Sequence, residues 1–271
     1  VTSARSTTAL PATIVAVLAL LAACTPSTPP TTPTSAPSSS MVLPPVGAHL
    51  DYQLGGGYPN PRVGIVVRDR TDEPSSGHYS ICYLNGFQTQ PDATDWWRTT
   101  HPDLLLGITD TSWDEELLDI SSAAKRARIV AVIEPWIADC ATKGFDAVEF
   151  DNLDSYTRSN GRLTADDAVA MIALLSAAAH RHHLPVAQKN AVELVSRRTE
   201  IGTDFVIAEQ CGTWDECAGY VAGYGELVWD VEYDAPGLTA ACSQLPRWAV
   251  VRRDLDLTAA GESTHVFEQC P

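Results

Sequence analysis

Gly144-Phe-Asp-Ala-Val-Glu-Phe-Asp-Asn-Leu-Asp-Ser-Tyr156 is a short apolar run that ends in a carboxylate, Asp151, and then turns polar. Asp204-Phe-Val-Ile-Ala-Glu-Gln-Cys211 repeats the pattern with Glu209 in the terminal position. Side chains on a strand alternate, so Glu149 and Asp151 share one face while Val148 and Phe150 share the other. In a β/α barrel the C-terminal strand ends are where chemistry is placed. Two carboxylates delivered to one pocket from different strands are what hydrolysis of a glycosidic bond requires.

Outward from these two runs, strand and helix patterns alternate. Strands are expected at Val63–Val67, Ser80–Asn85, Leu104–Ile108, Ala147–Asp151, Pro185–Asn190, Asp204–Glu209, Leu227–Glu232 and Trp248–Arg253. Helical patterns are clearest at Ser121–Lys143 and Thr164–His183, the latter opening with Thr164 and two acids in the first turn. Alternating β and α elements, with strands apolar on both faces, imply a parallel sheet. Eight strands predict an α/β fold of the (β/α)8 TIM-like type. A doubly wound sheet is the alternative, but no Gly-x-Gly-x-x-Gly follows any strand.

On that frame Glu209 lies two strands from Asp151. Neighbouring strands are about 4.8 Å apart, so inward-pointing side chains bring the two carboxyls within catalytic range. Lys189 and Asn190 end the strand between them; a lysine there favours ionised carboxylates, and Asn190 can hydrogen-bond a sugar hydroxyl. Asn152 and Asp154 follow Asp151 in the loop, then Tyr156. Glu149 reads equally as a structural acid or a substrate contact. Glu232, at another strand end, is expected to face an amine or hydroxyl. Tyr83, Tyr156 and Tyr233 are candidate stacking partners for sugar rings, as are Trp96 and Trp97. No metal and no cofactor is expected. His180-Arg-His-His183 sits where basic residues suit a helix C-terminus, and Asp151 with Asp154 offers too few ligands for calcium.

The N-terminus reads as an export signal over residues 1–23, with an apolar run from Ala9 to Ala23 ending in Leu21-Ala22-Ala23-Cys24, like a bacterial lipobox. Cys24 is the expected lipidation site. Residues 24–45 then form a tether rich in Thr, Pro and Ser, of which 25–40 are Thr, Pro, Ser and Ala only and have no apolar face to bury. A catalytic domain is expected over 46–271, held at the extracellular face of a bacterial cell membrane. The net charge of −16 argues against nucleic acid as a partner and suits a cationic polysaccharide. Of seven cysteines, six remain if Cys24 is lipidated. An even set in an exported domain suggests disulfides. Cys211 and Cys217 flank a turn and pair first, Cys242–Cys270 would tie down the tail, and Cys82–Cys140 is left over.

These residues resemble the glycoside hydrolase 114 family, of the endo-α-1,4-polygalactosaminidase type. The likeness runs through Tyr52-Gln-Leu54, Ile81-Cys-Tyr83, Leu118-Asp-Ile120, Gly144–Tyr156, Lys189-Asn190, Asp204–Cys211 with Cys217, Glu232-Tyr233 and Leu255-Asp-Leu257. It implies a TIM-like barrel, Asp151 and Glu209 as catalytic acids, and hydrolysis of α-1,4-linked galactosamine polymers. Leu84-Asn-Gly-Phe-Gln88 departs from the family's usual Ser-Ala-Gly and acid, and Phe150 stands where a proline is common. Two functions therefore compete: an endo-acting, lipid-anchored glycoside hydrolase with Asp151 as nucleophile and Glu209 as acid/base, and a catalytically degenerate carbohydrate-binding lipoprotein.

Overall fold

Eight short parallel strands follow one another around a barrel in chain order: β1 (Leu50–Tyr52), β2 (Ile65–Asp69), β3 (Tyr79–Asn85), β6 (Ala147–Asp151), β7 (Val186–Lys189), β8 (Phe205–Glu209), β9 (Val228–Glu232) and β10 (Val250–Arg253). The intervening pair, β4 (Leu105–Asp110) and β5 (Glu115–Leu118), forms a separate antiparallel hairpin, and β11 (Phe267–Gln269) runs antiparallel along β10. The computed structural model describes residues 41–271. The expected signal segment, Cys24 and most of the tether lie outside the described residues. Among the described residues seven α-helices accompany the strands: α1 (Thr94–Thr100), α2 (Ala123–Lys143), α3 (Ala165–Arg181), α4 (Arg198–Ile201), α5 (Cys211–Trp214), α6 (Cys217–Tyr224) and α7 (Ala235–Gln244). The fold is a TIM-like barrel, nearly closed, whose first two strands are joined to the next by loops without a helix.

Alternation sorts the strand residues into two cores. Leu50, Ile65, Val67, Ile81, Ala147, Ala187, Phe205, Ile207, Trp229 and Val251 fill the barrel interior. The out-of-phase residues, such as Val148, Phe150 and Val186, pack beneath α2 and α3. Each buried branched side chain contributes about 1.5–3 kcal/mol, so a one-residue slip in any strand would exchange the two cores. Helix ends obey local rules. Thr164 and Asp167 form a reciprocal capping box for α3, and Gly144 closes α2 in a left-handed conformation at φ 93°.

Two details differ from expectation. The run Leu104–Ile108 does not join the barrel; it becomes the first arm of the hairpin. The barrel's first strand is Leu50–Tyr52, only three residues long and too short to leave a periodic signal. The barrel closes between β1 and β10 mainly through a side chain. Arg253, fully buried, donates to Asp51 Oδ1 at 2.8 Å, to the Tyr52 carbonyl, and to the Thr258 carbonyl at 2.9 Å. Gly55 bridges to Thr258 there, and a Cβ at Gly55 would stand 2.7 Å from two carbonyl oxygens.

All three expected disulfides form: Cys82–Cys140, Cys211–Cys217 and Cys242–Cys270. Cys82–Cys140 spans 58 residues and ties β3 to α2; closing a loop of that length restricts the unfolded chain by about 4 kcal/mol in the entropic account. Cys211–Cys217 spans only 6 residues and shapes the turn that carries α5.

Candidate active site

Three adjacent strands end alike. Asp151, Lys189 and Glu209 are the last residues of β6, β7 and β8 and all point inward. Each is followed by a non-glycine residue in the left-handed region: Asn152 at φ 64°, Asn190 at φ 50° and Gln210 at φ 60°. Asparagine tolerates this conformation because its short polar side chain bonds locally. Asn190 uses its side chain across to the next strand: its Oδ1 accepts from the Glu209 N–H at 2.7 Å and its Nδ2 donates to Glu209 Oε2 at 3.2 Å. The polar residue after each functional side chain is thus the device that turns the chain sharply at the barrel rim.

Lys189 is the hub. Its side chain is 1% exposed, and Nζ lies 3.0 Å from Glu149 Oε1, 3.3 Å from Glu209 Oε2 and 3.5 Å from Asp151 Oδ1. It also donates to the Tyr52 hydroxyl at 2.7 Å, which in turn donates to Glu149 Oε1 at 2.5 Å. Burial pushes the ammonium pKa down, but the charges of Asp151, Glu149 and Glu209 outweigh it and hold it well above its ordinary value. Contact with one nitrogen keeps the nearest Asp151 and Glu209 oxygens no more than about 7 Å apart, which is compatible with the carboxyl separations of glycosidic hydrolysis.

The carboxyls around Lys189 are not equivalent. Burial pushes Asp151 up, yet Lys189, the Tyr83 hydroxyl at 2.7 Å and the Asn152 N–H at 2.7 Å together bring it below the usual carboxylate range. Asp151 is therefore held ionised. Glu209 receives the Tyr233 hydroxyl. Glu149, completely buried, is pushed up to about 7 by burial, with Lys189 opposing the rise, and its Oε2 has no hydrogen-bond partner.

These groups line a cavity of about 570 Å³ at the C-terminal mouth of the barrel. Of the expected site residues it gathers Tyr83, Asp151, Asn152, Asp154, Lys189, Asn190, Glu209 and Tyr233. Three are placed elsewhere. Glu149 is one layer below the floor, where it holds Lys189 and Tyr52 and cannot reach a ligand. Glu232 is on the outer face of β9, because Trp229, Val231 and Tyr233 take the inner one; its Oε1 accepts from the Gly212 N–H at 2.7 Å. The Tyr156 hydroxyl is directed to Glu193, and its ring packs on the outer core. Trp97 is buried and Trp96 packs edge-on against it and tilted against Trp136, outside the residues that line the cleft.

The cavity also contains residues that strand-end reasoning missed. Tyr52 forms its floor. The β4–β5 hairpin folds over one side and contributes Asp110, Trp113 and Glu115. Glu115 Oε2 accepts from Asn85 at 2.8 Å and Asn152 at 3.1 Å; burial, then the Asp151 charge, push its carboxyl up to about 8. Arg158 is committed to Asp110 at 2.9 Å and Asp154 at 2.8 Å. Seven carboxyls and two cations line the cavity, and both cations are already paired, which favours a cationic ligand. The one grouping of potential metal ligands among the described residues is Cys211, Cys217 and Asp230; its two sulfurs are joined in a disulfide.

Known structures share this architecture. The crystal structure of Aspergillus fumigatus Ega3 in complex with galactosamine superposes with a TM-score of 0.69 at 23% identity, covering 86% of this chain and 99% of that one. The glycoside hydrolase domain of PelA from Pseudomonas aeruginosa gives 0.58 at 14% identity, covering 79% and 98%. At these identities the likeness is one of fold. No curated protein matches the chain. The profile of the glycoside-hydrolase family GH114 matches residues 30–270, which spans the whole barrel and every residue of the Asp151–Lys189–Glu209 cluster. The chain belongs to glycoside-hydrolase family GH114.

Proposed function

We propose that this glycoside hydrolase cleaves α-1,4-linked galactosamine polysaccharide within the chain, using Asp151 as nucleophile and Glu209 as acid/base. The observation that carries the reading is the Asp151–Lys189–Glu209 cluster: two carboxyls from strands flanking a shared ammonium, at the mouth of an acidic cleft. A polymer of free amino sugars is polycationic, and the cleft has carboxyls to spare. The galactosamine bound in the Ega3 crystal supports the same sugar class.

The ionised Asp151 attacks the anomeric carbon as the bond to the leaving oxygen breaks, and Glu209 gives that oxygen its proton. A water then gives a proton back to Glu209 and attacks the same carbon, releasing Asp151. One glycosidic bond and one water are consumed, and the anomeric configuration is retained. Lys189 holds both carboxyls in register, and the Tyr83 and Tyr233 hydroxyls fix one oxygen of each. Lipid attachment at Cys24, with the catalytic domain on the extracellular face of a bacterial membrane, completes the proposal; the acidic barrel would then meet polymer outside the cell.

The test is release of reducing ends from de-N-acetylated α-1,4-galactosamine oligomers. Asp151→Asn and Glu209→Gln should each lower turnover by about 10²–10⁴-fold while leaving binding intact. Binding without cleavage by the parent protein would favour the carbohydrate-binding alternative. Membrane fractionation of Cys24→Ala, expected to release the protein from membranes, tests the anchor.

A further inference from the structure

Past Glu209 the cleft does not end. A second cavity of about 490 Å³ continues over α5 and shares Asn190, Glu209 and Tyr233 with the first. Its outer wall is Trp214, which is 66% exposed. Single apolar side chains at a surface need no explanation on their own. This one differs in its mount.

Trp214 ends a four-residue helix that is fastened from several directions. The residues on either side, Gln210 and Asp215, are both left-handed, at φ 60° and 58°. The Cys211–Cys217 bond closes the turn beneath it. Asp230 accepts from the Cys211 N–H at 3.0 Å, while Glu232 accepts from the Gly212 N–H at 2.7 Å and from Thr213 Oγ1 at 2.9 Å. Gly212 lets α5 sit directly on α7: a Cβ there would lie 2.4 Å from the Ala241 nitrogen. The indole is thus held at the surface by a rigid base, which lowers the entropic cost of stacking on a ligand. Across the groove stand Glu193 and Glu216. Both acids line this one groove, whose lining includes no lysine or arginine among the described residues; burial, then the Glu193 charge, raise the Glu216 carboxyl above its ordinary value.

We propose that this groove is a separate saccharide subsite of the same cleft, in which Trp214 stacks on a hexosamine ring beyond those flanking the scissile bond while Glu193 and Glu216 receive its free ammonium. The inference rests on the reading of the site as a galactosamine-polymer hydrolase. Continuity with the Asp151–Glu209 cavity argues for another unit of the same chain as occupant, and the paired acids argue for an amino sugar. A stacked aromatic side chain at this distance gives grip on long chains and none on short ones. It therefore bears on how far along a polymer the enzyme seats itself before cutting.

The experiment compares Trp214→Ala and Trp214→Phe with the parent on galactosamine oligomers of graded length. Cleavage is measured directly, and binding is measured by titration calorimetry in an Asp151→Asn background. Trp214→Ala should weaken binding of long oligomers about tenfold, leave short ones unchanged, and keep the parent's melting temperature; Trp214→Phe should recover part of the loss. Glu193→Gln with Glu216→Gln should narrow the preference for free-amine over N-acetylated long oligomers. Equal behaviour of Trp214→Ala and parent at every length, with cleavage intact, would overturn the subsite alone. A parent that neither binds nor cleaves any oligosaccharide would overturn the hydrolase reading along with it.

Discussion

Two groups of carboxyls, one opening to the cleft and one sealed beneath α5, sit at neighbouring strand ends and differ in their surroundings. Glu149, Asp151 and Glu209 point into the barrel around Lys189. Asp230 and Glu232 point outward from β9, beneath α5, and their hydrogen-bond donors are the α5 backbone and Thr213. The inner group has a buried cation and opens to a cleft, so its charge can be kept and used. The outer group has no cation. Burial, followed by the Glu232 charge, drives Asp230 well above its ordinary value, and its Oδ2 has no donor facing it. Burial without a counter-charge thus favours the protonated form of Asp230. The same residue type at the same end of a strand is proposed catalytic machinery with a counter-charge and a scaffold without one.

The contrast is most sharply tested at Lys189. Lys189→Met removes the cation from three carboxyls at once. Breaking a buried ionic cluster costs about 3–5 kcal/mol, read from denaturant unfolding at neutral pH, and turnover should fall at least as far as in Asp151→Asn. The stability gap should shrink in acid, where the stranded carboxyls take up protons. A variant equally stable at both pH values would mean that the cluster does not depend on its lysine.

Glu232→Gln comes next. It keeps the shape but weakens a carboxylate that accepts from an N–H and a hydroxyl. The expected loss is about 1–3 kcal/mol, with a smaller fall in turnover transmitted through α5 to Glu209. If activity drops as in Glu209→Gln while stability is untouched, Glu232 belongs to the site and the division between the two groups is wrong.

Glu115 sharpens the comparison through pH. Its folded carboxyl titrates at about 8, above its unfolded value of roughly 4.3. The folded state therefore binds the extra proton between these values. The contribution is fully present below about pH 4.3 and is lost as pH rises through about 8. Melting temperature against pH should fall less steeply in Glu115→Gln than in the parent over this window. Coincident curves would show that Glu115 is ionised without cost.

The smallest effect is expected at Asp230→Asn. A carboxyl already carrying a proton is well imitated by an amide, so stability near neutral pH should change by less than about 1 kcal/mol. Because the folded Asp230 value is raised, the parent loses this contribution as pH climbs, and the variant should not. A large loss at neutral pH would instead show that Asp230 is charged beneath α5.

Much of this site was legible from local pattern. Apolar runs ending in Asp151, Lys189 and Glu209 name their own strands, and alternation says which face each occupies. Applied one step further, alternation also separates Tyr233, inward, from Glu232, outward; treating both as strand-end candidates overlooked it. Glu115 left no such trace, because it reaches the cleft on a hairpin inserted between β3 and α2. The apolar run at Leu104–Ile108 has the composition of a barrel strand. Only its partner, β5, makes it an antiparallel arm, and strand propensity does not report the direction of a partner.

The sequence by itself determined the barrel class and the inward phase of the acids, since these follow from periodicity and from which groups can be buried without partners; of the cysteine pairs it singled out Cys211–Cys217, and the structure supplied the other two. Tertiary structure alone decided which three-residue segment closes the barrel, that a hairpin supplies a carboxyl to the cleft, and which carboxyls share a cation. Those outcomes depend on contacts such as Arg253 with Asp51 and Lys189 with Tyr52, joining residues separated by 202 and 137 positions. The charge state of a buried acid is set by what surrounds it in space, and chain order does not record that.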